Sequence, residues 1–325
     1  MMINVLETQA ENFIETLINN ARHMTNINRI GLITTVLIGW ALVAPAAFAL
    51  TFVIHSGSDI VGSVQSATVR EGEDFEDIGK KFDVGFYELM EANPGVNPYH
   101  PRAGTSLIIP TQYILPSGPR KGIVINLAEL RLYYFHKDQK LVTTHPIGIG
   151  RPDWETPIAN GKVTEKIKDP AWHPPDSIRA WYDEHDMYLP DVVPPGPQNP
   201  LGQYALRLSI PRYMIHGTNM PNGIGLRSSS GCIRMHPEDI EFLFYKVSTG
   251  DSVKIINKPY KIGKRGSLVY AEAHEPLSGS YYNMQSHDEI LEQALEEAAI
   301  VGIKFNSDIA RKSLKRSNGY PTLIE

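Results

Sequence analysis

Hydrophobic and polar positions change rhythm several times along this 325-residue chain, and each change predicts an element. From Ile30 to Ile54 no charged residue occurs. Between Ala67 and Thr111 the pattern becomes short and mixed. Thr68-Val69 begins a strand, and Asp74–Phe82 is a helix with Phe75, Ile78, Gly79 and Phe82 on one face. Phe86–Ala92 is a second helix, carrying Phe86, Leu89 and Met90 and stopped by Asn93-Pro94-Gly95. Leu107–Pro110 closes the unit as a strand. From residue 121 onward strands take over. Residues 122–127 and 130–135 form a hairpin, followed by runs at 141–149, 162–167, 204–209, 213–216 and 252–257. Short strands with turn residues between them predict a mainly β domain over 121–257, a sandwich or a related barrel.

Residues 172–202 break the rhythm. So much proline is incompatible with a central strand, and the stretch reads as an ordered flap. Trp172 and Trp181 either line a groove or fill the flap's own small core. Asp183-Glu184-His185-Asp186 matches no metal-ligand spacing and reads as a solvated acidic loop. In residues 258–325 a capping box, Ser286 with Glu289, opens a helix reaching about Ala299, with Ile290, Leu291, Leu295 and Ala298 along one face. The region reads as a helical extension whose basic residues at 311–316 are exposed. Residues 50–66 and 112–120 read as linkers.

The apolar run follows Arg29 and ends at Ala47-Phe48-Ala49, which gives a basic segment, an apolar segment and an A-x-A-like cleavage site. If Met24 is the start, Met24–Ala49 is an ordinary signal peptide. If Met1 is the start, the run is long enough to span a bilayer uncleaved. Export with cleavage near Ala49 is the preferred reading. Composition adds limits: net charge −5 gives no sign of a nucleic-acid partner, and a single cysteine excludes an internal disulfide.

That cysteine, Cys232, carries the candidate chemistry. His216 lies sixteen residues upstream, and glycine-bearing loops flank both. A thiol reacts as thiolate, which a nearby imidazole or helix N-terminus can favour. Gly231 frees the backbone before Cys232. Residues 236–247 predict a helix with Pro237 in its first turn and Glu238 and Asp239 at its positive end. Cys232 thus reads as an acyl-transfer nucleophile and His216 as its base, with amides near Gly231 and Cys232 as an oxyanion hole. A papain-like enzyme would place cysteine before histidine; the order here is reversed.

The stretch His216-Gly217-Thr218-Asn219, Ile224-Gly225 and Ser229-Ser230-Gly231-Cys232-Ile233-Arg234 resembles the signature of the L,D-transpeptidases of bacterial cell walls, the YkuD-type catalytic domain. Ser230 stands where many members have histidine, which bears on the orientation and acidity of Cys232. The resemblance implies that the carbonyl of Gly217 orients His216. It implies that Ser230 and Gly231 belong to the oxyanion loop, that Thr218, Asn219 and Ser229 bind substrate, and that Arg234 places substrate or braces that loop. Residues 67–111 resemble a lysin motif (LysM), a glycan-binding module. The order of domains is similar to that of the lipoprotein-anchoring, ErfK/YbiS-like subgroup.

Together these resemblances imply a periplasmic enzyme that acts on peptidoglycan stem peptides and glycan chains without metal or cofactor. Its acyl acceptor would be a second stem peptide or the lysine of an outer-membrane lipoprotein. Contact with the membrane would run only through the N-terminal segment, if uncleaved. A carboxypeptidase, a lipoprotein-detaching hydrolase and a non-catalytic wall-binding protein stay open as alternatives.

Overall fold

The computed structural model describes residues 50–278 and 285–325; the leader expected within residues 1–49 lies outside them. In chain order the described part begins with β1 (Leu50–Val53), β2 (Ile60–Gly62) and β3 (Gln65–Thr68). Helices α1 (Phe75–Phe82) and α2 (Phe86–Ala92) follow, then β4 (Ser106–Ile109) and β5 (Gln112–Ile114). Next come β6 (Gly122–Asn126), β7 (Arg131–Phe135), β8 (Leu141–Pro146), β9 (Ile149–Gly150) and β10 (Ala159–Lys168). The flap holds α3 (Asp176–Glu184). After it come β11 (Tyr204–Leu208), β12 (Met214–His216), β13 (Arg227–Ser229), β14 (Ile233–Arg234), α4 (Pro237–Lys246) and β15 (Ser252–Ile256). Last are β16 (Tyr260–Arg265), β17 (Leu268–Ala273), α5 (His287–Ile300), α6 (Ser307–Leu314) and β18 (Thr322–Leu323).

A nine-stranded mixed sheet, ordered β1-β8-β7-β6-β15-β10-β11-β12-β14, is the frame. Its strands alternate, and both faces are covered. Ile123, Ile125, Leu132 and Tyr134 point into a large core shared with Val163, Leu206, Ile215, Ile233, Met235, Ile240 and Leu243. Their neighbours Val124, Tyr133 and Phe135 point the other way, into a second core with Val61, Tyr113 and Leu115. The period of two therefore serves two cores at once. This is why all five residues of β7 are buried, where a half-solvated strand would alternate. The mainly β fold expected from the strand pattern is what forms.

Three expected boundaries differ from the structure. Residues 50–66 are not a free linker: β1 extends the edge of the large sheet by pairing antiparallel with β8, Leu50 opposite Thr144, and β2 pairs with β5. Likewise β5 and the buried Leu115 lie within the expected 112–120 linker. Both are segments of three or four residues. Their strand character depends on partners far away in sequence, so local composition cannot reveal it. Finally, the C-terminal extension is α+β. A hairpin, β16–β17, turns at Gly266 (φ +64°), takes β18 as a third strand, and packs under α5 and α6. The capping box of α5 forms as expected, Ser286 with Glu289. The basic segment is tied back to that helix: Arg311 pairs with Glu292 at 2.7 Å and Lys315 with Asp288 at 3.1 Å.

The module over 67–111 keeps its own core of Val69, Phe75, Ile78, Val84, Leu89, Leu107 and Ile109. It is nevertheless anchored to the large sheet by buried charge. Arg131, with no exposed surface, donates from Nε to Glu88 Oε1 at 2.7 Å and from Nη2 to Glu88 Oε2 at 2.8 Å. The same guanidinium reaches the Asp83 carbonyl at 2.9 Å and lies over the Tyr113 ring at 4.4 Å. A guanidinium matches a carboxylate two-to-two, which is how both charges tolerate burial. Tyr87 N–H also donates to Gly225 O at 3.3 Å, and His274 Nδ1 lies 2.9 Å from Glu91. Glu88→Ala strands the buried guanidinium and is expected to cost about 3–5 kcal/mol. Adding Arg131→Met should recover most of that loss, as read by denaturant unfolding of the single and double variants.

Candidate active site

Two short strands bring the candidate residues together. β12 ends on His216, and β14 begins one residue after Cys232. The two strands pair in parallel, Ile215 opposite Ile233 and His216 opposite Arg234. Ile215 and Ile233 are fully buried in the main core, so burial of two isoleucines fixes the register of the polar residues beside them. On its other side β14 exchanges both backbone hydrogen bonds with Gly148, at 2.9 Å each. His216 and Cys232 both line a cavity of about 1080 Å³, roofed by the flap residues Trp172 and Trp181.

His216 is almost wholly buried, and its Nδ1 lies 2.6 Å from the carbonyl of Gly217. That bond places the proton on Nδ1 and leaves the lone pair on Nε2. Burial first, then the charge of Arg234, push the imidazole down to about 4, against the weaker pull of the Gly217 carbonyl. It is therefore neutral over the working range of most proteins.

The Cys232 thiol does not behave as the sequence suggests. Burial raises it above an ordinary thiol, more than the Met214 amide and the Arg234 charge lower it. The sulfur lies 3.7 Å from the carbonyl of Arg212. The helix invoked as its activator is present with the expected first turn, Pro237, Glu238 and Asp239. But α4 starts only after β14 has intervened, and its N-cap is His236. A macrodipole acts within its first turn, and that turn holds Asp239, 3.0 Å from His145. The pair therefore rests as neutral thiol and neutral imidazole.

The loop before the cysteine is braced from within. Gly231 sits at φ +104°, a conformation glycine alone adopts freely, and a Cβ there would meet the Tyr213 ring at 3.0 Å. Its N–H donates to Ser229 Oγ at 3.1 Å, and the Ser229 hydroxyl donates to the Cys232 carbonyl at 2.6 Å. The Gly231 amide, expected in the oxyanion hole, is thus already engaged. Ser229 and Thr218, expected to meet substrate, act within their own loops. The Thr218 hydroxyl accepts the Met220 amide at 2.9 Å, and its side chain is buried.

Asn219 lines the cavity and donates to Gln198 O in the flap at 3.3 Å. Ser230 also faces the cavity. So does Arg234, whose Nε is buried without a hydrogen bond. Among the described residues no carboxylate lies within 4 Å of it.

Several residues escape a reading of the sequence. Arg151 and Arg212 also line the cavity, Arg151 lying over the rings of Trp154 and Trp181 at 5.2 and 5.6 Å. Thr156 accepts the Gly150 amide at 3.0 Å and donates to the Gly231 carbonyl at 2.7 Å, so it ties the cysteine loop to β9. That contact spans 75 residues, beyond the reach of local pattern. Asn199, buried, holds the base of the flap through the carbonyls of Pro170, Val193 and Pro194. In the acidic run of the flap, His185 stacks on Trp181 at 4.1 Å and meets the Trp181 carbonyl.

Comparison with known proteins adds independent findings. Residues 120–255 match the L,D-transpeptidase catalytic domain YkuD, and residues 67–110 match the LysM domain. The chain is 47% identical over 229 residues to the probable L,D-transpeptidase YcfS of Escherichia coli K12, spanning 69% of this chain and 72% of that one. It is 38% identical over 296 residues to the probable L,D-transpeptidase ErfK/SrfK of the same strain, spanning 86% and 95%. The catalytic domain of the E. faecium L,D-transpeptidase, solved by NMR, aligns at 22% identity and TM-score 0.34 over 43% of this chain and all of that one. Thr156→Val keeps the shape but frees the buried Gly231 carbonyl and the Gly150 amide. It is expected to cost about 1–3 kcal/mol by denaturant unfolding, and to change the rate of iodoacetamide alkylation of Cys232, followed by mass spectrometry.

Proposed function

The chain belongs to the L,D-transpeptidase family, and from that membership we propose that Cys232 is the acylating nucleophile and His216 its proton carrier. The supporting observation is that parallel strands β12 and β14 deliver the two residues into one cavity, with His216 held in a single tautomer by Gly217. The thiol gives its proton to Nε2 as sulfur attacks a stem-peptide carbonyl. Formation of the C–S bond moves the carbonyl electron pair onto oxygen. The Gly231 amide being engaged, the amide of Cys232 itself is the donor to that oxyanion. When the oxyanion collapses the C–N bond breaks, and the imidazolium returns its proton to the leaving amine. A thioester remains on Cys232.

The donor we propose is the tetrapeptide stem, cleaved between meso-diaminopimelate, at its L-centre, and the terminal D-Ala. Both residues carry free carboxylates. Arg234, Arg151 and Arg212 on the cavity wall form no ion pair with any described carboxylate, which suits such a substrate. The acceptor is an amine, from a second stem to give a 3–3 cross-link or from the lysine of an outer-membrane lipoprotein. LysM would hold the glycan strand, and the apolar segment before Ala49 would export the chain to the periplasm.

Incubation with disaccharide tetrapeptide, analysed by mass spectrometry, tests this reading. Loss of D-Ala with tripeptide–tetrapeptide dimers is expected, and Cys232→Ala should abolish both. Tripeptide alone, unchanged by a lipoprotein C-terminal peptide, would identify a carboxypeptidase instead. His216→Gln should lower transfer roughly 10²- to 10⁴-fold.

The resting state sets the pH behaviour. With His216 depressed to about 4, the base form persists as pH falls to roughly 5, so transfer should too. With the thiol raised, iodoacetamide alkylation of Cys232 should keep climbing with pH above 8. A plateau already reached below pH 7 would reveal a preformed thiolate and overturn the neutral pair.

A further inference from the structure

Behind the cysteine loop, away from the cavity, three buried side chains converge from three segments. Asp83 caps α1 in the left-handed conformation (φ +54°), His145 lies on β8, and Asp239 lies in the first turn of α4. One ligand atom from each falls within 4.8 Å of the others. Exposure is 6% for Asp83, 0% for His145 and 4% for Asp239. His145 Nδ1 is 3.0 Å from Asp239 Oδ1, yet the contact lacks the line-up of a hydrogen bond. Both imidazole nitrogens and Asp239 Oδ2 are buried without a hydrogen-bond partner, and so is Nδ1 of the neighbouring His236. The Asp83 carboxylate accepts the Leu50 amide at 3.1 Å, but buried polar atoms are ordinarily satisfied, and the orphans on His145 and Asp239 beside it call for something between the three side chains.

We propose that Asp83, His145 and Asp239 bind a divalent metal ion of the zinc class, and that the ion clamps the LysM module to the catalytic domain. Imidazole with two carboxylates is a donor set for zinc and its first-row neighbours, and three protein ligands leave a position for a fourth. Charge supports the assignment. Arg131 is the cation nearby, but its guanidinium is matched by Glu88, and it touches Asp83 through the backbone carbonyl. Among the described residues no lysine or arginine nitrogen lies within 4 Å of either aspartate's carboxylate.

A second buried acidic group in the same molecule shows the contrast. Glu129 and Glu272, beside His274, share the ammonium of Lys261 at 2.7 and 2.8 Å, so the cation position there is filled by a side chain. Around Asp83 and Asp239 either protons or a divalent cation must do that work.

The full chain carrying Cys232→Ser, untagged, removes the thiol as a competing ligand. It is purified from zinc-supplemented cells, and a second portion is stripped by chelator under denaturing conditions and refolded with zinc, cobalt or neither. One equivalent of zinc retained through gel filtration, visible cobalt absorption of low-symmetry coordination, and a higher Tm with metal are expected. His145→Gln and Asp239→Asn, added singly to Cys232→Ser, should lose all three. Asp83→Asn serves as a third variant should either fail to give a native near-UV circular dichroism spectrum. No metal retained in either preparation overturns the proposal and assigns the cluster to protons. Retention unchanged in the folded variants overturns it equally, since the ion then sits elsewhere.

Discussion

Two pairs of residues on β12 and β14 hold the catalytic end of this protein in place. The parallel pairing of Ile215 with Ile233 is what sets His216 and Cys232 beside one cavity, sixteen residues apart in sequence. So short a ladder contributes few hydrogen bonds. Its register is secured instead by burial of both isoleucines and of Met235 and Ile240 behind them, and by the Gly148 backbone clasping Arg234 from the far side. A slip of one residue would turn Ile233 into the cavity and Arg234 into the core, a cost the core does not permit.

Around that ladder, polar groups near the site serve mainly to hold backbone. Ser229, Thr156 and Gly217 engage the cysteine loop and the histidine through hydroxyls and a carbonyl, while Cys232, His216 and Arg234 face the cavity. A resting neutral pair follows from the desolvation of both groups. Burial disfavours both the thiolate and the imidazolium, so charge develops only during reaction, where preorganised dipoles are most effective. The family supplies the transpeptidase chemistry; the local dielectric decides how the pair waits for it.

The LysM module is not tethered but docked. Buried charge at Arg131–Glu88, the Tyr87–Gly225 hydrogen bond and the Glu91–His274 contact tie it to the large sheet and to the C-terminal α+β unit. A glycan held by the module would thus keep a fixed relation to the cavity, and the Asp83–His145–Asp239 cluster lies in the same seam.

Local pattern determined a good deal by itself. The helices of the 67–110 module, the hairpin over 122–135, the helix after Pro237 and the capping box at Ser286 all depend on contacts within a few residues, so spacing exposes them. The motif from His216 to Arg234 likewise pointed to the family, because its residues lie close together in sequence. Tertiary structure alone decided the rest. β1, β2 and β5 are strands only because distant partners complete them, and β16 to β18 make a sheet only together. The protonation of Cys232 and His216 depends on what buries them, and the roles of Ser229, Thr156 and Arg212 rest on backbone atoms that no residue name announces. Burial and long-range hydrogen bonding are properties of the packed chain, and one-dimensional pattern carries no record of which distant segment supplies them.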